Sequence, residues 1–140
     1  MAAIVNVCVD PRLDHAVIRA QVRARLERMH IPARMVYVTN EIGGNVGSNF
    51  RNTVELVLKN QDTIQLAAVL HHDDCVAGRL GLRKTLPESV EGLRRVLADL
   101  KVSCPVLAGQ LRTEHNSLTW ADEPRPSYEV LNFRMPRLSG

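Results

Sequence analysis

Apolar residues run along this chain in two alternating rhythms. Residues 3–8 (AIVNVC), 34–39, 63–70 (TIQLAAVL) and 104–111 are short, mostly apolar runs, the pattern of strands buried on both faces of a sheet. Between them, apolar positions return every three or four residues: Ile18, Val22, Leu26 and Met29 within 14–29, then Phe50, Val54, Val57 and Leu58, then Val90, Leu93, Leu97 and Leu100 behind Pro87. Each series paints one stripe on a helix, and Pro87 suits a helical first turn. Strand and helix in alternation predict an α/β fold with a central, mostly parallel sheet, right-handed crossovers and flanking helices. Beyond the fourth strand, residues 114–117 read as a turn, and 118–120 and 128–133 as short strands extending the sheet or a subunit contact, with Pro124 and Pro126 between them.

Composition keeps this picture to one domain, residues 1–140. At 140 residues and 45% apolar content the chain can bury a core, and no linker, repeat or low-complexity tract divides it. The net charge of +3 is modest, and Arg19, Arg23, Arg25 and Arg28 fall on one helix, read as a solvated face or a subunit contact. Aromatic residues are too few for a stacking nucleic-acid surface, so no nucleic-acid partner is expected. Three cysteines suit a reducing, cytoplasmic setting better than a disulfide framework. The opening MAAIVNVCVD lacks a basic leader, and no run approaches membrane-spanning length, so no membrane partner is expected either.

The candidate chemistry sits at two strand ends. Cys8-Val9-Asp10-Pro11-Arg12 closes the first apolar run and His71-His72-Asp73-Asp74-Cys75 the third. Open α/β sheets bind ligands outside the carboxyl ends of their strands, so both motifs can reach one crevice. Two thiolates and an imidazole are a ligand set for zinc, and three protein ligands leave a fourth position open, as catalytic sites do. His71 and His72 both lie within reach of Cys75; the His-x-x-Cys spacing favours His72. Residues 3–10 read as a strand whose side chains alternate, which puts Cys8, Asp10 and Arg12 on one side. Arg12 is then placed to clamp Asp10 and keep it ionised. Alone, Cys8 reads as core and the Asp10–Arg12 pair as a surface ion pair; beside His72 and Cys75 they read as a site.

Other candidates are weaker. Residues 43–48 (GGNVGS) precede a helix and offer either an anion-binding helix N-terminus or a glycine turn capped by Ser48, without matching a nucleotide-binding pattern. Cys104 reads as core, and His30 and His115 as surface or helix-terminal residues. His15, three residues past Arg12, can either shuttle protons at the mouth of the site or simply open a helix.

Cys-x-Asp-x-Arg followed by His-x-x-Cys resembles the β-class carbonic anhydrases, and residues 39–44 (TNEIGG) fall where that family has an Arg-Asn-Ala-Gly-Gly-like stretch. The resemblance implies zinc held by Cys8, His72 and Cys75, with Asp10 and Arg12 as the catalytic dyad beside a metal-bound hydroxide that hydrates carbon dioxide reversibly to bicarbonate. It implies a parallel sheet in order 2-1-3-4 with an added edge strand, and a homodimer or higher homo-oligomer with active sites near the interface. It also implies a closed state, favoured at low pH, with Asp10 as fourth ligand. The chain departs from the family at His72-Asp73-Asp74-Cys75-Val76, where His-Thr-Asp-Cys-Gly is usual, and at Thr39 in place of arginine. It opens at its first strand, so pocket residues supplied by the family's N-terminal arm are expected to be missing. The same site suits two other functions: hydrolysis of carbonyl sulfide or carbon disulfide, and a non-catalytic zinc-binding assembly module.

Overall fold

The computed structural model describes residues 1–123, so the strand expected over 128–133 lies outside the described residues. β1 (Ala2–Cys8) is buried along its whole length because it has a parallel neighbour on each side. These are β2 (Met35–Glu41) and β3 (Ile64–His72), and β4 (Val106–Arg112) lies parallel beyond β3. The short antiparallel β5 (Ser117–Trp120) closes the edge, giving the order β2-β1-β3-β4-β5. The fold is thus α/β, with a central, mostly parallel sheet in order 2-1-3-4 plus an edge strand and helices on both faces.

Strand alternation divides the core in two. Ala3, Val5 and Val7 point to the face covered by Ile18, Val22 and Leu26 of α1 (His15–Arg28), with Trp120 beside them. Ala2 and Ile4 point the other way, onto Phe50, Val54 and Val57 of α2 (Ser48–Lys59) and Leu93 and Leu97 of α4 (Leu86–Asp99). A short α3 (Val76–Arg79), which no apolar periodicity announced, lies between β3 and α4. Phe50 has no exposed surface, and burying such a ring contributes about 2–3 kcal/mol from transfer alone.

The helix starts follow from local chemistry. Asp14 caps α1 by accepting from the amides of Ala16 and Val17, and Thr85 with Glu88 forms a capping box on α4. At α2 the expectation changes: Ser48 is the first helical residue, not the cap, and Gly47 precedes it. Glu41 reaches over from β2, its Oε2 accepting from the amides of Gly47 (2.9 Å) and Phe50 (3.0 Å). A carboxylate of the chain itself therefore occupies the helix N-terminus that an anion would seek.

The arginines of α1 are not one solvated face. Arg25 is 7% exposed, pairs in a fork with Asp122 (2.8 and 2.7 Å) and lies 5.5 Å from the centre of the Trp120 ring. Arg19 donates to the Val36 carbonyl and Arg28 to Glu123. These side chains staple α1 to β2 and to the segment that follows β5. No described helix is long and apolar enough to cross a membrane.

Candidate metal centre

Parallel pairing brings the carboxyl ends of β1 and β3 side by side. Cys8 is the last residue of β1 and His72 the last of β3. β3 runs past the expected Leu70 because its pairing with β4 continues to His72 opposite Leu111. Both histidines are therefore strand residues, and they face opposite ways. Asp74 then adopts a left-handed backbone (φ 51°) in a tight turn ahead of Cys75 at the start of α3. One ligand atom from each of Cys8, His72 and Cys75 lies within 4.8 Å of the other two, and all three residues are buried.

His72 shows what this cluster lacks. Its Nδ1 lies 2.7 Å from the Asp73 carbonyl oxygen, which can only accept, so the proton belongs on Nδ1 and the Nε2 lone pair is bare. Nε2 is buried and is the one buried side-chain polar atom with no hydrogen-bond partner among the described residues. Leaving such an atom unpaired costs about 1–3 kcal/mol. Two sulfurs and an unpaired imidazole nitrogen are the donor set that zinc takes, so the residues fit that ion.

Burial raises the Cys8 thiol above its ordinary range; hydrogen bonds with the backbone at Asp10 and Gly43 oppose the rise, and the neighbouring Cys75 adds to it. A free thiolate is thus disfavoured at Cys8, and a cation would have to displace the proton.

Asp10 stands beside the cluster, its Oδ2 3.9 Å from His72 Nε2. Arg12 grips both oxygens, through Nε to Oδ1 (3.0 Å) and Nη2 to Oδ2 (2.6 Å), while its backbone amide donates to Oδ1 at 2.9 Å. This fork holds the Asp10 carboxyl down at about 2. The two residues meet for a different reason from the one expected. β1 stops at Cys8, Pro11 has no amide to continue a ladder, and a turn, not strand alternation, folds Arg12 back onto Asp10.

Several further contacts were not legible from the motifs. Arg12 also donates Nη1 to Asp74 Oδ2 (3.0 Å) and Nη2 to the Asp74 carbonyl (2.9 Å), and Arg79 pairs with Asp74 from the other side. Arg83 Nη1 donates to the His72 carbonyl at 2.9 Å. Thr113, just past β4, places its hydroxyl 3.2 Å from His72 Nδ1. Beneath the site the backbone of Gly43 and Gly44 passes with φ of 65° and 74°; a Cβ at Gly44 would stand 3.1 Å from the Leu70 carbonyl oxygen. Buried Asn6 anchors that segment by donating to the Gly44 carbonyl (2.9 Å) while accepting from Thr39 (2.7 Å).

His71 faces the other layer, 2% exposed, with Nε2 2.9 Å from the Ser89 hydroxyl on α4. Burial pushes it down to about 4, so it is neutral near pH 7. His15 heads α1 and accepts from Asn40 Nδ2 at 3.3 Å. Cys104 packs against the core on the α2–α4 face, and His115 is exposed.

A cavity of about 290 Å³ opens beside Cys8 and Asp10, which stand in its wall, with an otherwise apolar lining of Val9, Pro11, Ile42, Val76, Leu80 and Leu82. Among these, Val9, Ile42, Val76, Leu80 and Leu82 are each more than half exposed, at 51, 60, 51, 58 and 67% in the order Val9, Ile42, Val76, Leu82, Leu80.

No family model matches the chain, and no curated protein matches it. Among solved structures, a carbonic anhydrase from Streptococcus mutans aligns over 85% of this chain and 80% of its own, with 17% sequence identity and a TM-score of 0.48. The likeness is remote, and the reading of the site rests on the residues described above.

Proposed function

We propose that this chain is a zinc-dependent carbonic anhydrase, hydrating carbon dioxide reversibly to bicarbonate at the centre formed by Cys8, His72 and Cys75, with Asp10 and Arg12 as the catalytic dyad. The observation that carries the reading is the bare, buried Nε2 of His72 facing two cysteines beside an arginine-clamped carboxylate. When bound, zinc lowers the pKa of water towards neutrality and so makes a strong nucleophile available near pH 7.

The chain's own groups supply the rest. Cys8 and Cys75 give up protons to hold the ion, so loading is expected to weaken as pH falls. Asp10, kept ionised far below neutral pH, accepts a hydrogen bond from the nucleophile and aims a lone pair at the substrate carbon. Arg12 holds Asp10 in place and, by occupying both carboxylate oxygens, disfavours its turning onto the metal as a fourth ligand. The apolar wall suits a small uncharged substrate.

The exposed rim of Val9, Ile42, Val76, Leu80 and Leu82 supports self-association as a homodimer or larger homo-oligomer, since apolar patches of this kind mark interfaces. Three free cysteines support a reducing, cytoplasmic setting.

The test is stopped-flow carbon dioxide hydration at pH 7 and near pH 8.5, with zinc content measured on the same preparation. Turnover that rises with pH supports the proposal. Stoichiometric zinc without turnover moves the assignment to carbonyl sulfide or carbon disulfide hydrolysis, tested on the same sample, or to a non-catalytic zinc module. Protein purified under reducing conditions that takes up no zinc overturns the ligand assignment.

A further inference from the structure

Two connections tie the end of β3 to the end of β4 around His72. The Asp73 amide donates to the Leu111 carbonyl at 3.1 Å, continuing the ladder one residue beyond the paired strands. The Asp73 carboxylate then takes the next residues in hand: its Oδ1 accepts from the Thr113 amide at 2.7 Å and lies 2.7 Å from the Thr113 hydroxyl. That hydroxyl is also 2.8 Å from the Asp73 carbonyl and 3.2 Å from His72 Nδ1. It has a single proton to give. The ionised carboxylate is the stronger acceptor, which leaves a hydroxyl lone pair facing His72 Nδ1 alongside the Asp73 carbonyl oxygen at 2.7 Å.

We propose that Thr113 and Asp73 are positioning residues for His72, forming a chain in which Nδ1–H donates to the Thr113 hydroxyl and the Asp73 carbonyl while the hydroxyl donates to the Asp73 carboxylate. The chain keeps the proton on Nδ1 and aims Nε2 at the two cysteines. It does for this imidazole what a hydrogen-bonded carboxylate does for metal-binding histidines generally. In its second role the inference rests on the reading of Cys8, His72 and Cys75 as a metal site; the choice of tautomer stands without it. Asp73 lies outside the cluster and touches no ligand atom directed at the ion, so its effect passes through Thr113 and through its own main chain.

The test has two readouts on the intact chain. Nitrogen-15 NMR of the imidazole in metal-free protein reports the tautomer, and competition with a chelator reports zinc affinity. The wild type is expected to show His72 protonated on Nδ1 alone. Thr113→Val keeps the shape and removes the hydroxyl; the Asp73 carbonyl still keeps the proton on Nδ1, while the ring loses its second anchor and about tenfold weaker zinc binding is expected. Thr113→Ser is expected to restore the affinity to within about twofold. Asp73→Ala, on the same readouts, carries the test if Thr113→Val does not fold. A wild-type proton on Nε2 overturns the proposal. So does a Thr113→Val protein that is less stable but unchanged in zinc affinity, since a merely structural clamp behaves that way. If the wild type carries its proton on Nδ1 but takes up no zinc, the tautomer stands and the metal assignment fails.

Discussion

His71 and His72 are consecutive, 2% and 1% exposed, and built from the same side chain, yet they meet opposite surroundings. His71 points into the α2–α4 layer, where Ser89 satisfies its Nε2 and burial suppresses its charge. His72 points towards Cys8 and Cys75, hydrogen-bonded at Nδ1 and bare at Nε2. One residue of strand alternation separates a finished core interaction from an unfinished one. Burial and residue type do not distinguish a candidate ligand from a core histidine here; the atom left without a partner does.

The sharpest way to break the comparison is to remove each ring in turn. His72→Asn is expected to weaken zinc binding roughly a thousandfold, the loss of one of three protein ligands, whereas His71→Asn should leave zinc content unchanged. Equal zinc loss in both variants, read by metal analysis after gel filtration, would erase the distinction between the two faces. The next effect is on catalysis. Asp10→Asn should keep zinc and lower carbon dioxide turnover about a hundredfold, and undiminished turnover would remove Asp10 from the proposed mechanism.

A third expectation concerns His71 and acid. Its folded pKa of about 4 lies below the ordinary imidazole value of 6.5. The stability linked to it is therefore complete above about pH 6.5 and is lost as pH falls towards 4. Urea titrations of metal-free protein should show a decline on the order of 3 kcal/mol across that interval. In His71→Asn the decline should flatten, with a smaller loss of about 1 kcal/mol already present at pH 7.5. The smallest effect on the fold is expected at the exposed rim. Leu80→Glu should weaken self-association at least about tenfold by placing a charge in an apolar contact, with the monomer's stability little changed. Sedimentation velocity over a concentration series would show it, and an unaltered distribution would remove Leu80 from any interface.

Much of this was open to reading in the sequence, for reasons that also explain what was not. The strands of the central sheet announce themselves because both faces are covered, so nearly every position is apolar. α2 and α4 announce themselves by a single buried stripe. Cys8, His72 and Cys75 stand out because ligand chemistry at strand ends is a local pattern joined by a topological rule. Asp10 and Arg12 do form an ion pair, through a turn and not through strand alternation. Arg25 reads from the sequence as part of a solvated face or a subunit contact because its partner, Asp122, lies 97 residues away. Thr113 and Arg83 were invisible because their meaning depends on the register of β4 against β3 and on the course of the segment after α3. No local spacing carries that information.

The placement of the ligands also has a consequence for how the molecule assembles. Cys8 and the His72–Cys75 pair belong to neighbouring parallel strands, and all of α1, β2 and α2 must be threaded between them before those strands can pair. Closing so long a segment is a costly early event in a folding chain. In the proposed centre, an ion bridging the two strand ends would arrive at a sheet already laid down and act as a latch on a finished topology, not as its nucleus. Its removal is expected to speed unfolding far more than it slows folding.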